Sequence, residues 1–218
     1  MPERQRLLDG FKKFRKKYYE DSNLMEELVK NGANPDFFIV HCIDPRSGAN
    51  KLFHASPGVL FGDRVMAALV PPYEEGSDFA ASLSYAVEHK KVKHIIILGH
   101  THCGGIEALV KGVQDKEIKG WMGKAQHAFD RAKAKVKGGD THALCAETER
   151  QAVILGLKNL MSYPAVKKAF IKGDITLNGW LFDMEHGDIL SYDAGKDTFE
   201  SLINLPPGTQ QKKFGKGI

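Results

Sequence analysis

The chain predicts an α/β fold: a mainly parallel β-sheet flanked by helices, with a helical arm at the N-terminus. Three observations carry this. The runs Phe37-Phe38-Ile39-Val40 and His94-Ile95-Ile96-Ile97-Leu98 are continuously apolar and β-branched or aromatic, as strands covered on both faces must be. Segments with helical spacing alternate with the strand-like runs, the pattern of parallel strands joined by crossover helices. Residues 3–31 carry helical patterning and no strand signal.

Taken in order, residues 3–31 read as helix, broken at Asp21-Ser22-Asn23, which resembles an N-cap for Leu24–Lys30. Leu7, Leu8, Phe11, Phe14 and Tyr18 recur at helical spacing, and Arg4, Arg6, Lys12, Lys13, Arg15, Lys16 and Lys17 fill the other face. The expectation is an amphipathic helix docked on a body. A stop at Asn31–Pro35 precedes the strand that ends at Cys42, and Pro45 and Gly48 mark a loop. Residues 58–66 form a second expected strand, closed by Pro71-Pro72. Ser77 or Asp78 caps a helix through Phe79, Leu83, Ala86 and Val87. The strand at 94–98 is bounded by Gly99, and Gly104-Gly105 opens a helix through Val110. Residues 111–144 read as helix plus loop, Glu147–Met161 and Pro164–Lys172 as helices, and Asp174–Leu181 and Asp188–Asp193 as strands around the turn Glu185-His186-Gly187. One domain is expected over 1–205, with 1–31 as its arm and 206–218 as a loose basic tail.

Composition narrows the function. No apolar run is long enough to span a membrane. A net charge of +4 is too mild to argue for nucleic acid. The basic start lacks an apolar signal core, and three cysteines are too few and too odd for a disulfide framework. A cytoplasmic chain with free thiols is expected, with a mitochondrial or other organelle matrix as the alternative.

Two strand ends then deliver chemistry. Cys42-Ile43-Asp44-Pro45-Arg46 follows the first strand and Gly99-His100-Thr101-His102-Cys103-Gly104-Gly105 the strand at 94–98. Sites of open α/β sheets lie beyond the carboxyl ends of strands. Cys42, His100 and Cys103 supply two thiolates and an imidazole, which leave the fourth tetrahedral position of a Zn2+ ion open. His100 is preferred to His102 because a three-residue spacing closes a chelate more easily than adjacency. His41 points to the opposite face, and Cys145 reads as a structural thiol. Two thiolates cancel the metal's charge, so its bound water is acidified less than beside three imidazoles. Asp44 is placed to accept a hydrogen bond from that water, and Arg46 to clamp Asp44 bidentately and keep it ionised.

The chain resembles the β-class carbonic anhydrases. The residues that carry the resemblance are the two motifs above with Pro57-Gly58, Leu60-Phe61, Arg64, Leu69–Pro72, Tyr85-Ala86-Val87, Val92–Ile95, Asn159-Leu160, Tyr163-Pro164 and Gly179-Trp180. It implies zinc on Cys42, His100 and Cys103, a catalytic dyad of Asp44 and Arg46, and reversible hydration of CO2 to bicarbonate. It also implies a homodimer or homotetramer with active sites at the subunit interface. Phe61 and Tyr85 match the family's apolar substrate pocket, and the Gly104 amide a position that receives the product's oxygen. Five departures stand out: Pro45 for the usual Ser, Ala33 for a Gln, Val65 and Ala68 for two Asn, and Asn178 for a His. They imply an intact metal site with thinner polar support. Hydrolysis of a CO2 analogue (COS or CS2) on the same fold, or a zinc-stabilised scaffold or bicarbonate-binding module, are the alternatives.

Overall fold

The computed structural model describes residues 2–138 and 140–203; the basic tail 206–218 lies outside the described residues. Helix α1 (Pro2–Arg15) widens into a π-type turn at Lys16–Glu20 and breaks before α2 (Leu24–Asn31). Asn23 stands at the head of α2, but its side chain makes no capping bond. Strand β1 (Phe37–Cys42), a short α3 (Ala49–Leu52) and strand β2 (Leu60–Val65) follow. After α4 (Asp78–Ser84, continued as a π-type turn to His89) come β3 (His94–His100), α5 (Gly104–Lys111), α6 (Lys116–Met122) and α7 (Gln126–Lys135). The chain then runs through α8 (Thr141–Leu160), α9 (Pro164–Lys172), β4 (Thr176–Asp183), β5 (Asp188–Asp193) and β6 (Thr198–Ser201).

Among the described residues the strands form one sheet in the order β2-β1-β3-β4-β5-β6. The pairs β1–β2, β1–β3 and β3–β4 are parallel; β4–β5 and β5–β6 are antiparallel. The buried run Ile95–Leu98 at the centre of β3 explains why its sequence does not alternate. Each such side chain contributes about 1.5–3 kcal/mol by leaving water.

Helix α8 lies very close to β3 and β4, and three glycines make room for it. A Cβ on Gly99 would stand 2.6 Å from a Val153 methyl, one on Gly179 2.8 Å from Leu157 and Val153, and one on Gly156 2.7 Å from Ile97. This close approach fixes where β3 ends, and therefore where His100 stands.

Several expectations shift. α8 starts at Thr141 rather than Glu147, because Asp140 caps it by accepting the Ala143 amide at 2.8 Å. β6 was not expected. The second strand is shorter than 58–66: residues 66–68 form a 3-10 turn in which Ala67 and Ala68 take left-handed φ of 59° and 52°. The first helix of the arm leaves its stripe uncovered, although α2 rests on the body through Leu28, against Gly58. Leu7, Leu8 and Phe11 are 73%, 55% and 58% exposed.

Candidate metal centre

Cys42 ends β1, His100 ends β3, and Cys103 precedes the first residue of α5. The sheet brings these neighbours together: their ligand atoms all lie within 4.8 Å of one another, and all three residues are buried. His100 Nδ1 faces the Thr101 carbonyl at 2.8 Å, which fixes the tautomer with the proton on Nδ1. Its Nε2 is shut away from solvent with no hydrogen-bond partner. A buried imidazole nitrogen whose neighbours are two sulfurs is placed as a metal ligand would be.

The thiols are set for the same task. Cys42 Sγ accepts the Ala67 amide at 3.2 Å. Its thiol is pushed well down, chiefly by a hydrogen bond from Cys103 and with help from His100. Cys103 is pushed up by the Cys42 sulfur beside it and by burial, although the amides of Gly105 and Ile106 favour its thiolate. Two buried sulfurs thus compete for one negative charge, and a divalent cation between them would remove the conflict. The donor set of two sulfurs and one imidazole fits zinc, with one position left over.

Asp44 lies beside this cluster but not in it. Arg46 grips it with both prongs, Nη2 to Oδ2 at 2.7 Å and Nε to Oδ1 at 3.0 Å, and the Arg46 amide adds 2.8 Å to Oδ1. The guanidinium holds the Asp44 carboxyl at about 2. Pro45 does not disturb the loop. Ser47 N donates to Asp44 O at 3.1 Å, which makes Pro45 the second residue of a turn, the position its fixed φ suits.

Three supporting groups have no role assigned by the sequence, although Arg64 is one of its motif residues. Glu149, buried on α8, accepts the Cys103 amide at 2.8 Å and is pushed up by burial. Arg64 donates to the carbonyls of Cys42, Ile43 and Asp44 at 2.9–3.2 Å. The indole of Trp121 donates to Met66 O at 3.0 Å and pins the turn that aims the Ala67 amide. That turn also gives the family's Asn at position 68 a backbone reason, since Asn tolerates left-handed φ better than Ala. His102 is not in the thiolate cluster: it pairs with Glu185 at 2.9 Å. His41 is buried with Nδ1 3.2 Å from Cys42 O, turned from the metal position. Cys145 is half-buried within α8.

The expected apolar pocket stands apart. Phe61 and Tyr85 meet edge to face at 6.1 Å, but Phe61 pairs with Phe38, four residues before Cys42, or about 13 Å back along the strand. Ala33 belongs to the same region, since its carbonyl accepts Lys90 Nζ at 3.2 Å and Lys90 lies over the Tyr85 ring. Asn178 sits mid-strand opposite Ile96, bonded to Thr176. Gly104 opens α5 beside Cys103, with no atom near the space above its Cα.

The sequence profile of a family described as carbonic anhydrase matches residues 37–189. The chain is 29% identical to a carbonic anhydrase of Synechocystis sp., covering 92% of this chain and 76% of that one, and 29% identical to one of Synechococcus elongatus, covering 95% and 79%. Among solved structures it is similar to the β-carbonic anhydrase CcaA (27% identity, 91% and 99% of the two chains, TM-score 0.82). It is also similar to a tetrameric β-carbonic anhydrase of Sordaria macrospora (25%, 87% and 93%, TM-score 0.73).

Proposed function

Since the chain belongs to the carbonic anhydrase family, and to its β class, we propose that it hydrates CO2 reversibly to bicarbonate at a zinc ion held by Cys42, His100 and Cys103. The observation that carries this is the unpartnered Nε2 of His100 beside two buried sulfurs, with the Asp44–Arg46 pair at its rim.

Bound there, zinc would supply a Lewis-acidic position at which water becomes a nucleophile near neutral pH. The chain's own residues do the rest. Asp44, ionised by Arg46, accepts a hydrogen bond from the attacking water and aims its remaining lone pair at carbon. Arg46 also donates to the His102 carbonyl at 3.1 Å, so the dyad is tied to the loop that carries Cys103. The Gly104 amide, at the N-terminus of α5, donates to oxygen as charge develops on it. Glu149, Arg64 and the Ala67 amide hold the two thiolate-bearing loops in register.

CO2 is small and apolar, and Phe61 and Tyr85 form a surface suited to it. In one chain they lie too far from the metal cluster to serve it, so a second copy completes the site. The half-exposed Tyr85, the uncovered arm stripe and the tetrameric relative support a homo-oligomer. Stopped-flow CO2 hydration on zinc-replete protein, with COS and CS2 turnover measured beside it, tests the reading. Hydration that depends on zinc and on Asp44 supports it. COS or CS2 turnover without hydration points to the analogue hydrolase, and a protein inert toward all three to a scaffold.

A further inference from the structure

We propose a second metal site, for a divalent first-row transition ion such as Zn2+ or Cu2+, formed by His102, His142 and Glu185 at the surface. It does not rest on the CO2-hydration reading. The three come from separate segments: the loop after β3, the first turn of α8 and the β4–β5 turn. Their ligand atoms lie within 4.8 Å of one another. Two neutral imidazoles and a carboxylate are a donor set that such ions take and that Mg2+ and Ca2+ do not favour. Zinc–ligand bonds of about 2.0–2.1 Å put tetrahedral donors about 3.3 Å apart, so closing the present set needs side-chain rotation only.

The three segments are held in place by bonds of their own, which distinguishes this cluster from a chance meeting of surface chains. His102 is fixed by Arg46, which donates to its carbonyl, and by Glu149 of α8, which takes the next amide at Cys103. The same α8 carries His142, whose ring centroid lies 5.6 Å from that of His102. Met184 N donates to Thr101 Oγ1 at 2.9 Å and Thr101 N to Phe182 O at 3.0 Å. These bonds seat the β4–β5 turn on the His102 loop, with Glu185 Oε1 2.9 Å from His102 Nε2. Asp183 and His186 in that turn are engaged with each other at 2.8 Å, and Asp183 also takes the amides of Glu185 and His186. With Glu185 they form a second possible donor group within 4.8 Å, but Asp183 is committed to two amides of its own turn, and His186→Ala distinguishes the two groups.

The test is equilibrium dialysis of the zinc-replete oligomer against micromolar free Zn2+, followed by metal analysis. The parent should hold two ions per chain. His142→Ala and Glu185→Gln should each return it to one, and His186→Ala should keep two. Cu2+ added to the zinc-replete parent should give an electron paramagnetic resonance spectrum with coupling to two imidazole nitrogens, reduced to one in His142→Ala. All three side chains altered are exposed, and the retained first ion reports an intact fold. A parent that stays at one ion per chain would overturn the site. So would a second ion that survives both His142→Ala and Glu185→Gln, or one lost in His186→Ala alone.

Discussion

The carboxyl edge of the sheet and the N-terminal arm are both made of side chains that need partners, and they differ in where the partners are. At the edge, every group around Cys42, His100 and Cys103 is answered within the chain: Glu149 by the Cys103 amide, Asp44 by Arg46, the Cys42 sulfur by the Ala67 amide. His100 Nε2, beside the two sulfurs, has no hydrogen-bond partner among the described residues. On the arm, Leu7, Leu8 and Phe11 face outward. The Phe61–Tyr85 pair shares this character, with Tyr85 half exposed. A polar site that closes on itself marks chemistry that one chain can assemble. An apolar surface left open marks a task that needs a second chain.

The sharpest way to break the contrast is at the edge. Cys42→Ser or Cys103→Ser replaces a soft thiolate by a hydroxyl, so the zinc content should fall by about one equivalent per chain relative to the parent, and turnover should fall close to zero. A metal content equal to the parent's in either variant, read by metal analysis after the same dialysis, would sink the ligand set. Asp44→Ala comes next. It should keep zinc and lose about a hundredfold or more in turnover, the scale on which an orienting or charge-stabilising hydrogen bond acts. Arg46→Ala should follow it in direction. The carboxyl of Asp44 is held down at about 2 by Arg46. Because its folded value is depressed, its interaction with Arg46 is present above the ordinary carboxylate range and is lost only as pH falls toward 2. An acid limb between pH 5 and 8 that is abolished in Asp44→Asn would contradict that assignment, since it would make Asp44 itself the group that titrates there.

The arm is tested by charge. Leu8→Asp with Phe11→Asp should dissociate the oligomer, seen by light scattering. Turnover should fall by about tenfold or more, the scale on which misplaced groups act, while zinc is retained, since the ligands are internal to the chain. An active monomer would erase the distinction between the two regions.

The same distinction explains what could be read from the sequence. The candidate ligands were legible because the run 95–98 in β3 is apolar without interruption and Gly99 follows it, so His100 had to stand at the strand's end. The preference for His100 over His102 follows from spacing, and the structure groups His100, not His102, with the two sulfurs. Glu149 was not legible: a carboxylate on a helix reads as solvated, and only the close seat of α8 on Gly99 and Gly179 buries it. The start of α8 was missed because Asp140 caps it from within a Gly- and Lys-rich stretch of weak periodicity. β6 was missed because four residues with one large apolar side chain, Phe199, carry no pattern. The separation of Phe61 from Cys42 depends on strand register, which a single strand's sequence does not encode. The arm's stripe was legible, but periodicity alone does not say what covers it, and the chain leaves Leu7, Leu8 and Phe11 exposed.

The smallest expected effect sharpens the comparison most. Ala33 stands where the family often has a Gln, and its carbonyl is tied to Lys90 beside Tyr85. It therefore belongs with the apolar half of the site and not with the metal half of its own chain, which begins nine residues later at Cys42. A Gln at that position could hydrogen-bond an oxyanion only in a second copy's site. Such a bond to a charged group is worth about 1.5–3 kcal/mol, hence a ceiling of about ten- to hundredfold if it is made only in the transition state. A side chain added to an unadapted surface should recover the lower end at most. Ala33→Gln should raise kcat/KM for CO2 by up to about tenfold in the oligomer, and leave the Leu8→Asp, Phe11→Asp protein unchanged. The gain should thus require the interface, which a gain in the metal half would not. An equal rise in both backgrounds would place Ala33 beside its own metal, against the register of β1. No rise in either would mean that the missing Gln is structural drift.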